Sequence, residues 1–229
     1  MGRPKAMVTF GGRRLVERAA ATLADGGCDP VVVVLGAAAD EVRRTTSLPG
    51  AEFVDNPSWA DGQSTSLRAG LAAVFEPARV PSPQAVLVSV VDQPGISPEL
   101  VARLLATWRD GDAVAVVAAY DGAARTPVVL DKSVAGDVAA SVTGDEGARR
   151  WLGERRRTAP GSVALVECGD VGRPDDVDTP ADLAELSGSQ DPHRPQQDPP
   201  DPSRPHDPHG RPQPDDAPAV AGRRNRSAR

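Results

Sequence analysis

Apolar residues in this chain fall into short unbroken runs, separated by stretches in which they recur every three or four positions. The runs at 30–35, 51–54, 86–91, 113–119, 126–130 and 163–167 have strand length and little polar alternation. That is the pattern of strands covered on both faces, as in parallel α/β sheets. Between them, Arg14–Leu23 places Leu15, Val16, Ala19, Ala20 and Leu23 on one side, and Gly26-Gly27 ends it. A segment from Ser64 carries Leu67, Leu71, Val74 and Phe75 at core spacing, and a shorter helix is expected over 37–44. After Ser97 and Pro98, good N-cap and first-turn residues, Leu100, Val101, Leu104, Leu105 and Trp108 form another apolar stripe. The alternation β, α, β, α, β predicts a parallel sheet with helices on both faces.

The pattern stops near residue 187. From there to residue 229 the chain is rich in Pro, Asp, Arg and Gln and nearly without large apolar residues. It cannot bury enough surface to offset its chain entropy, so 187–229 is expected to be a disordered tail with polyproline character. Residues 1–186 are one domain's worth of chain. The tail holds seven Arg and six Asp, so the net charge of −6 leaves about −7 on the domain. An acidic body in a chain with 3 % aromatic residues argues against a nucleic-acid partner. No stretch is long and apolar enough to span a membrane, and no signal peptide is visible, so a cytoplasmic location is expected.

The composition also narrows the chemistry. All 3 histidines, His193, His206 and His209, lie in the tail. The domain therefore has no Ser-His-Asp or Cys-His system and no usual zinc site. Cys28 and Cys168 are too few and too distant in sequence for a disulfide scaffold. Attention falls on the run Val86–Val91, which ends in Asp92, Gln93 and Pro94. Pro94 cannot extend a ladder, so Asp92 belongs at the carboxyl edge of the sheet, where open α/β folds bind ligands. A single acid there also serves as a solvated strand end or a helix cap. A polar loop runs into the helix that begins near Ser64, whose first N–H groups suit a polar ligand or an ordinary cap. Thr179, Pro180 and Asp182 form a capping-box relative, with Asp176 and Asp178 just before it.

Six segments, in order, carry a resemblance: MGRPK at the start, NPSWADGQSTSLRAGL from Asn56, VVDQP ending at Pro94, RTPVVL from Arg125, GDEGARRWL from Gly144 and DVDTPADL from Asp176. Together they resemble the MobA-like nucleotidyltransferases, and most of all the molybdenum cofactor cytidylyltransferases, over residues 1–186. The resemblance implies a Rossmann-like three-layer α/β/α fold with a mostly parallel sheet. It implies transfer of CMP from CTP to molybdopterin, with Mg2+ and release of pyrophosphate. Guanylyl transfer to molybdopterin or to another phosphorylated molecule such as phospholactate is the alternative, as is a non-catalytic nucleotide-binding maturation factor. A molybdoenzyme or its chaperone is the implied protein partner.

Carried over by position, Lys5 matches the lysine set against the triphosphate and Asp92 the metal-holding acid, with Asp178 as a second metal ligand or a turn carboxylate. Gln63, Ser64 and Ser66 match base and ribose contacts. Arg125, Pro127, Asp145 and Arg149 match segments facing the acceptor, Arg125 equally serving as a hairpin charge. The family's first strand and glycine-rich loop would precede Met1-Gly2. A start assigned too late, a fragment or a degenerate gene would each explain that, and the first is the expectation.

Overall fold

The computed structural model of the chain describes residues 4–188. A 3-10 turn at Lys5–Met7 and a hairpin of β1 (Thr9–Phe10) and β2 (Arg13–Arg14) lead into α1 (Leu15–Asp25). Then come β3 (Val31–Leu35), α2 (Ala39–Thr45), β4 (Ala51–Asp55), a second 3-10 turn at Trp59–Asp61, and α3 (Gln63–Val74). The second half runs β5 (Ala85–Val88), α4 (Pro98–Asp110), β6 (Ala115–Tyr120), β7 (Ala123–Asp131), α5 (Lys132–Ser141), α6 (Arg149–Thr158), β8 (Val163–Glu167) and α7 (Pro180–Gly188). The tail expected from residue 187 starts inside the last turn of α7, and its remainder lies outside the described residues.

The central sheet has the order β5-β7-β6-β8. β7 is antiparallel to both its neighbours and β8 is parallel to β6, so β5, β6 and β8 point the same way. The reversal of β7 follows from its connection: Asp121 and Gly122, both at positive φ, turn the chain straight back from β6. Side chains alternate along β6 and β7 as a pleated strand requires. Ala115, Val117, Val128 and Leu130 pack on one face with Leu71 of α3, Val134 and Val138 of α5, and Trp151 and Leu152 of α6. Val116, Ala118, Tyr120 and Val129 pack on the other face with Leu100, Val101, Leu104 and Leu105 of α4. Leu100 and Leu104 are fully buried, each contributing about 1.5–3 kcal/mol of transfer free energy. The result is three layers, helix on sheet on helix.

β3 and β4 form a separate parallel pair. α3 joins the two sheets: its Gly70 lies against Val34 of β3, while Leu67 and Leu71 pack with Val86 and Val88 of β5. Among the described residues β3 has β4 as its strand partner and β5 has β7, which leaves each with one unpaired edge. This revises the expected central strand. The apolar run reaches Val91, but the ladder stops at Val88, opposite Val128. The next residue of β7 would be Pro127, which has no N–H to offer. With one edge bare, β5 is half-buried along its whole length rather than sealed on both faces, whereas every residue of β6 is buried.

Candidate active site

The carboxyl ends of the strands converge through Val91, which packs with Val8, Phe10, Leu15 and Val177 on one side and with Met7, Val16, Leu35 and Val42 on the other. Met7 is buried and Val8 N–H donates to the Lys5 carbonyl, so the short turn fixes Lys5 beside the residue that follows Val91. Lys5 Nζ donates to Asp92 Oδ2 at 2.7 Å and to Asp178 Oδ1 at 2.6 Å. The three side chains are 38 %, 21 % and 66 % exposed in the order Lys5, Asp92, Asp178, so the group lies at the surface and remains reachable. Burial alone would lower the Lys5 ammonium. Hydrogen bonds and charge from Asp178 and Asp92 outweigh it and hold the group well above its ordinary value.

Asp178 arrives from far along the chain, and its position is set by backbone bonds on both sides. Val177 is fully buried and its N–H donates to the Asp92 carbonyl at 2.8 Å. Asp182 Oδ2 accepts from the N–H groups of Asp178 and Thr179, and Asp182 N–H donates to Thr179 Oγ1. This is the reciprocal cap read from the sequence. Gln93 adds a brace that the sequence reading missed. It is buried, its Oε1 accepts from Thr126 Oγ1 at 2.7 Å, and its Nε2 donates to Asp176 Oδ1 at 2.9 Å. Thr126 can reach it because the β6–β7 register jumps from Val117↔Val128 to Ala118↔Arg125, freeing Thr126 and Pro127 from the ladder. A polar residue caught between an apolar run and a proline was the available signal.

A second constellation forms at the start of α3. Gln63 N–H donates to Asp145 Oδ1 at 3.3 Å and Ser64 N–H to the Gly144 carbonyl at 2.9 Å, so the loop before α6 caps α3. Ser64 is fully buried, and Arg68 Nη2 reaches its hydroxyl at 3.5 Å. Asn56, also buried and not singled out from the sequence, donates to Thr65 Oγ1 and Ser66 Oγ and accepts from Ser58 N–H. The structure thus brings Gln63, Ser64, Ser66 and Asp145 together, with Ser64 closed to solvent and Ser66 engaged by Asn56. Arg149 is exposed at the first position of α6, and Arg125 is exposed on β7, donating to the Ala124 carbonyl. Pro127 is fully buried in the β7 irregularity and turns no surface outward.

A divalent cation fits the first constellation by its donor chemistry. Two carboxylates already converge on one positive atom, and they leave a net charge of about −1 around it. Among the described residues no group of three or more His, Cys, Asp or Glu side chains is arranged to hold a metal ion. A hard divalent cation here would be held by Asp92 and Asp178, oxygen donors of the kind such ions prefer.

A three-layer α/β domain with a lysine and two acids at its carboxyl edge is a nucleotide-handling domain in architecture. Residues 1–159 match the MobA-like NTP transferase domain, and the chain belongs to that family of nucleotidyltransferases. It is 38 % identical over 181 residues to the nicotine blue oxidoreductase of Paenarthrobacter nicotinovorans, covering 77 % of this chain and 84 % of that protein. A solved homolog of Mycobacterium tuberculosis Rv0371c, from Mycobacterium sp. strain JC1, superposes with a TM-score of 0.67 at 29 % identity, over 82 % of this chain and 89 % of that one. The Rv0371c structure from M. tuberculosis H37Rv in complex with manganese superposes at 0.61 with 24 % identity, covering 81 % and 92 %, and shares the fold. Among the described residues no helix is long and apolar enough to cross a membrane.

Proposed function

We propose that this protein transfers CMP from CTP to the phosphate of molybdopterin. The observation that carries the reading is the meeting of Lys5, Asp92 and Asp178 on one point at the carboxyl edge. A phosphate oxygen of the acceptor attacks the α-phosphorus, the bond to the bridging oxygen breaks, and pyrophosphate leaves with the electron pair. The attacking oxygen is already ionised, so no general base is needed, which suits a described body without histidine. Lys5 stays protonated at neutral pH and offers fixed positive charge to the departing phosphates. Asp92 and Asp178 would hold Mg2+, which supplies charge neutralisation at the phosphoryl oxygens. Gln93 keeps the Asp176–Asp178 segment in reach.

The choice of CTP and molybdopterin rests on the likeness of the six sequence segments to the cytidylyltransferase branch. The test is pyrophosphate release from the full chain with Mg2+ and molybdopterin, comparing CTP with GTP. Release with CTP and none with GTP supports the reading, release with GTP turns it to guanylyl transfer, and binding without release marks a maturation factor.

A second reading comes from the 38 % identity to a protein named an oxidoreductase. In it, Lys5 at the same edge would hold a dinucleotide cofactor by its phosphates, and that cofactor would supply redox chemistry. Oxidation of NADH or NADPH with a quinonoid dye as acceptor, without pyrophosphate release from CTP or GTP, would favour it.

A further inference from the structure

The two hydroxyls that the sequence offers for recognising a base, Ser64 and Ser66, are engaged by the fold itself. Ser64 is buried, Ser66 accepts from Asn56, and the neighbouring Thr65 hydroxyl has its single proton within reach of the Ser58 and Gly62 carbonyls. What this corner leaves exposed is an aromatic side chain. Trp59 is 49 % exposed, and the other large apolar residue left exposed among those described, Val80, sits in the β5 approach loop. An isolated exposed apolar side chain is ordinary. Trp59 differs in its location and its rigidity.

Its turn is tied at several points. Asn56 N–H donates to the Leu35 carbonyl at 2.7 Å, Trp59 N–H to the Asn56 carbonyl at 3.3 Å, and Thr65 Oγ1 to the Ser58 carbonyl at 3.0 Å. The inner edge of the side chain rests on the backbone of Gly36, the residue after β3. A Cβ at that position would lie 2.6 Å from Trp59 Cβ and 2.8 Å from Cγ, so only glycine lets the tryptophan sit there. Leu35, just before Gly36, packs with Met7 and Val91. Met7 lies two residues after Lys5 and Val91 directly before Asp92, so Trp59 stands on the same edge as the phosphate-handling group.

We infer that Trp59 is the stacking platform for the nucleobase of the bound nucleoside triphosphate. This rests on the nucleotide-transfer reading above and adds the residue that reads the ring. The charged end of the ligand goes to Lys5 and the acids, and its flat end goes to Trp59, the exposed aromatic residue among those described. A tryptophan anchored at its base by a tied turn and by Gly36 has less side-chain freedom to lose on binding, which favours such a role. Stacking is tolerant of the ring's identity, so Trp59 contributes affinity for any base rather than choosing CTP over GTP.

The test measures dissociation constants of the full chain for CTP, GTP and inorganic triphosphate, with Mg2+, across Trp59→Ala, Trp59→Leu, Trp59→Phe and Lys5→Ala. Stacking of this kind is worth about 1–3 kcal/mol, so Trp59→Ala should weaken both nucleotides by about 5- to 150-fold. Trp59→Leu, which still covers Gly36 but has no ring face, should weaken them similarly. Trp59→Phe should keep most of the affinity, and all three should bind triphosphate like the parent. Nucleotide affinity unchanged in Trp59→Ala, or retained in Trp59→Leu, or lost in parallel with triphosphate affinity, overturns the inference. Lys5→Ala separates the two layers: triphosphate binding that survives it sinks the nucleotide reading, whereas a flat Trp59 series beside a sensitive Lys5 sinks only the stacking role.

Discussion

Replacing Gly62 by alanine should uncouple the two segments that meet at the start of α3. Gly62 is the N-cap of α3 with φ +109° and ψ 168°, a region that is essentially glycine-only and costs other residues about 1–3 kcal/mol. A Cβ there would lie 2.5 Å from the Gly144 carbonyl carbon and oxygen and 3.0 Å from Asp145 Oδ1. Backbone atoms cannot swing aside, so crowding adds about 1–3 kcal/mol more. Gly50 is the internal control: its φ is +78°, and a Cβ would meet nothing within 4 Å. Gly50→Ala should therefore cost only the backbone term, about 1–2 kcal/mol. In a chain of this size each kcal/mol moves Tm by about 2–4 °C. The expected drop is about 4–8 °C or more for Gly62→Ala, and clearly less for Gly50→Ala. Thermal and urea unfolding of both variants provide the numbers, and hydrogen exchange at the Gln63 and Ser64 amides reports the lost cap. Equal destabilisation in the two variants would refute the claim that close approach of Gly144, rather than φ alone, demands glycine at 62.

Gln93→Ala removes the brace between Thr126 and Asp176. Since Asp176 is exposed and can re-solvate, the stability loss should be modest, about 1–3 kcal/mol by urea unfolding, with turnover falling further than stability accounts for. Turnover that tracks stability alone would deny Gln93 its positioning role. Tyr120, the 1 tyrosine of the chain, has its phenol pushed up to about 12 by burial, and among the described residues its hydroxyl has no hydrogen-bond partner. Its ultraviolet titration should show no ionisation near the ordinary value of about 10 while the protein is folded. Because the folded value is raised, its contribution to stability is complete below about pH 10 and is lost as pH rises toward 12. Tyr120→Phe should flatten that alkaline slope at little cost at neutral pH. In hydrogen exchange, β6 should be protected throughout, while β3 and β5 should alternate between slow amides that face a partner and fast ones on the unpaired edge. Uniform protection of β3 and β5 would show that something covers those edges in solution.

Much of this architecture was legible because period and burial agree. The last strand, Val163–Glu167, and the helix after Ser97 lie where the apolar pattern puts them, and Ser97 Oγ accepts from Leu100 N–H as an N-cap should. α5 was not legible: its core residues Val134, Ala135 and Val138 stand among Ser, Ala and Gly, too small a stripe to signal a helix. Nor was the shortening of β5, since an apolar run records burial but not whether a neighbour can donate hydrogen bonds. In the candidate site, Lys5, Asp92 and Asp178 were named through the family resemblance, and their meeting depends on contacts spanning 87 and 173 positions that no local pattern encodes. Ser64 and Pro127 show the converse. A residue in a resembling segment can be structural, and only packing reveals that both are buried.

The central claim is that Lys5, Asp92 and Asp178 form a single centre for a cation and a nucleotide's phosphates. Manganese is a direct reporter, because its electron paramagnetic resonance signal separates bound from free ion. The parent chain with CTP should take up Mn2+ more tightly than either protein or nucleotide alone, and Asp92→Ala should abolish that excess with the fold intact by circular dichroism. Undiminished cooperative uptake by Asp92→Ala would contradict the account and place the phosphate chemistry elsewhere.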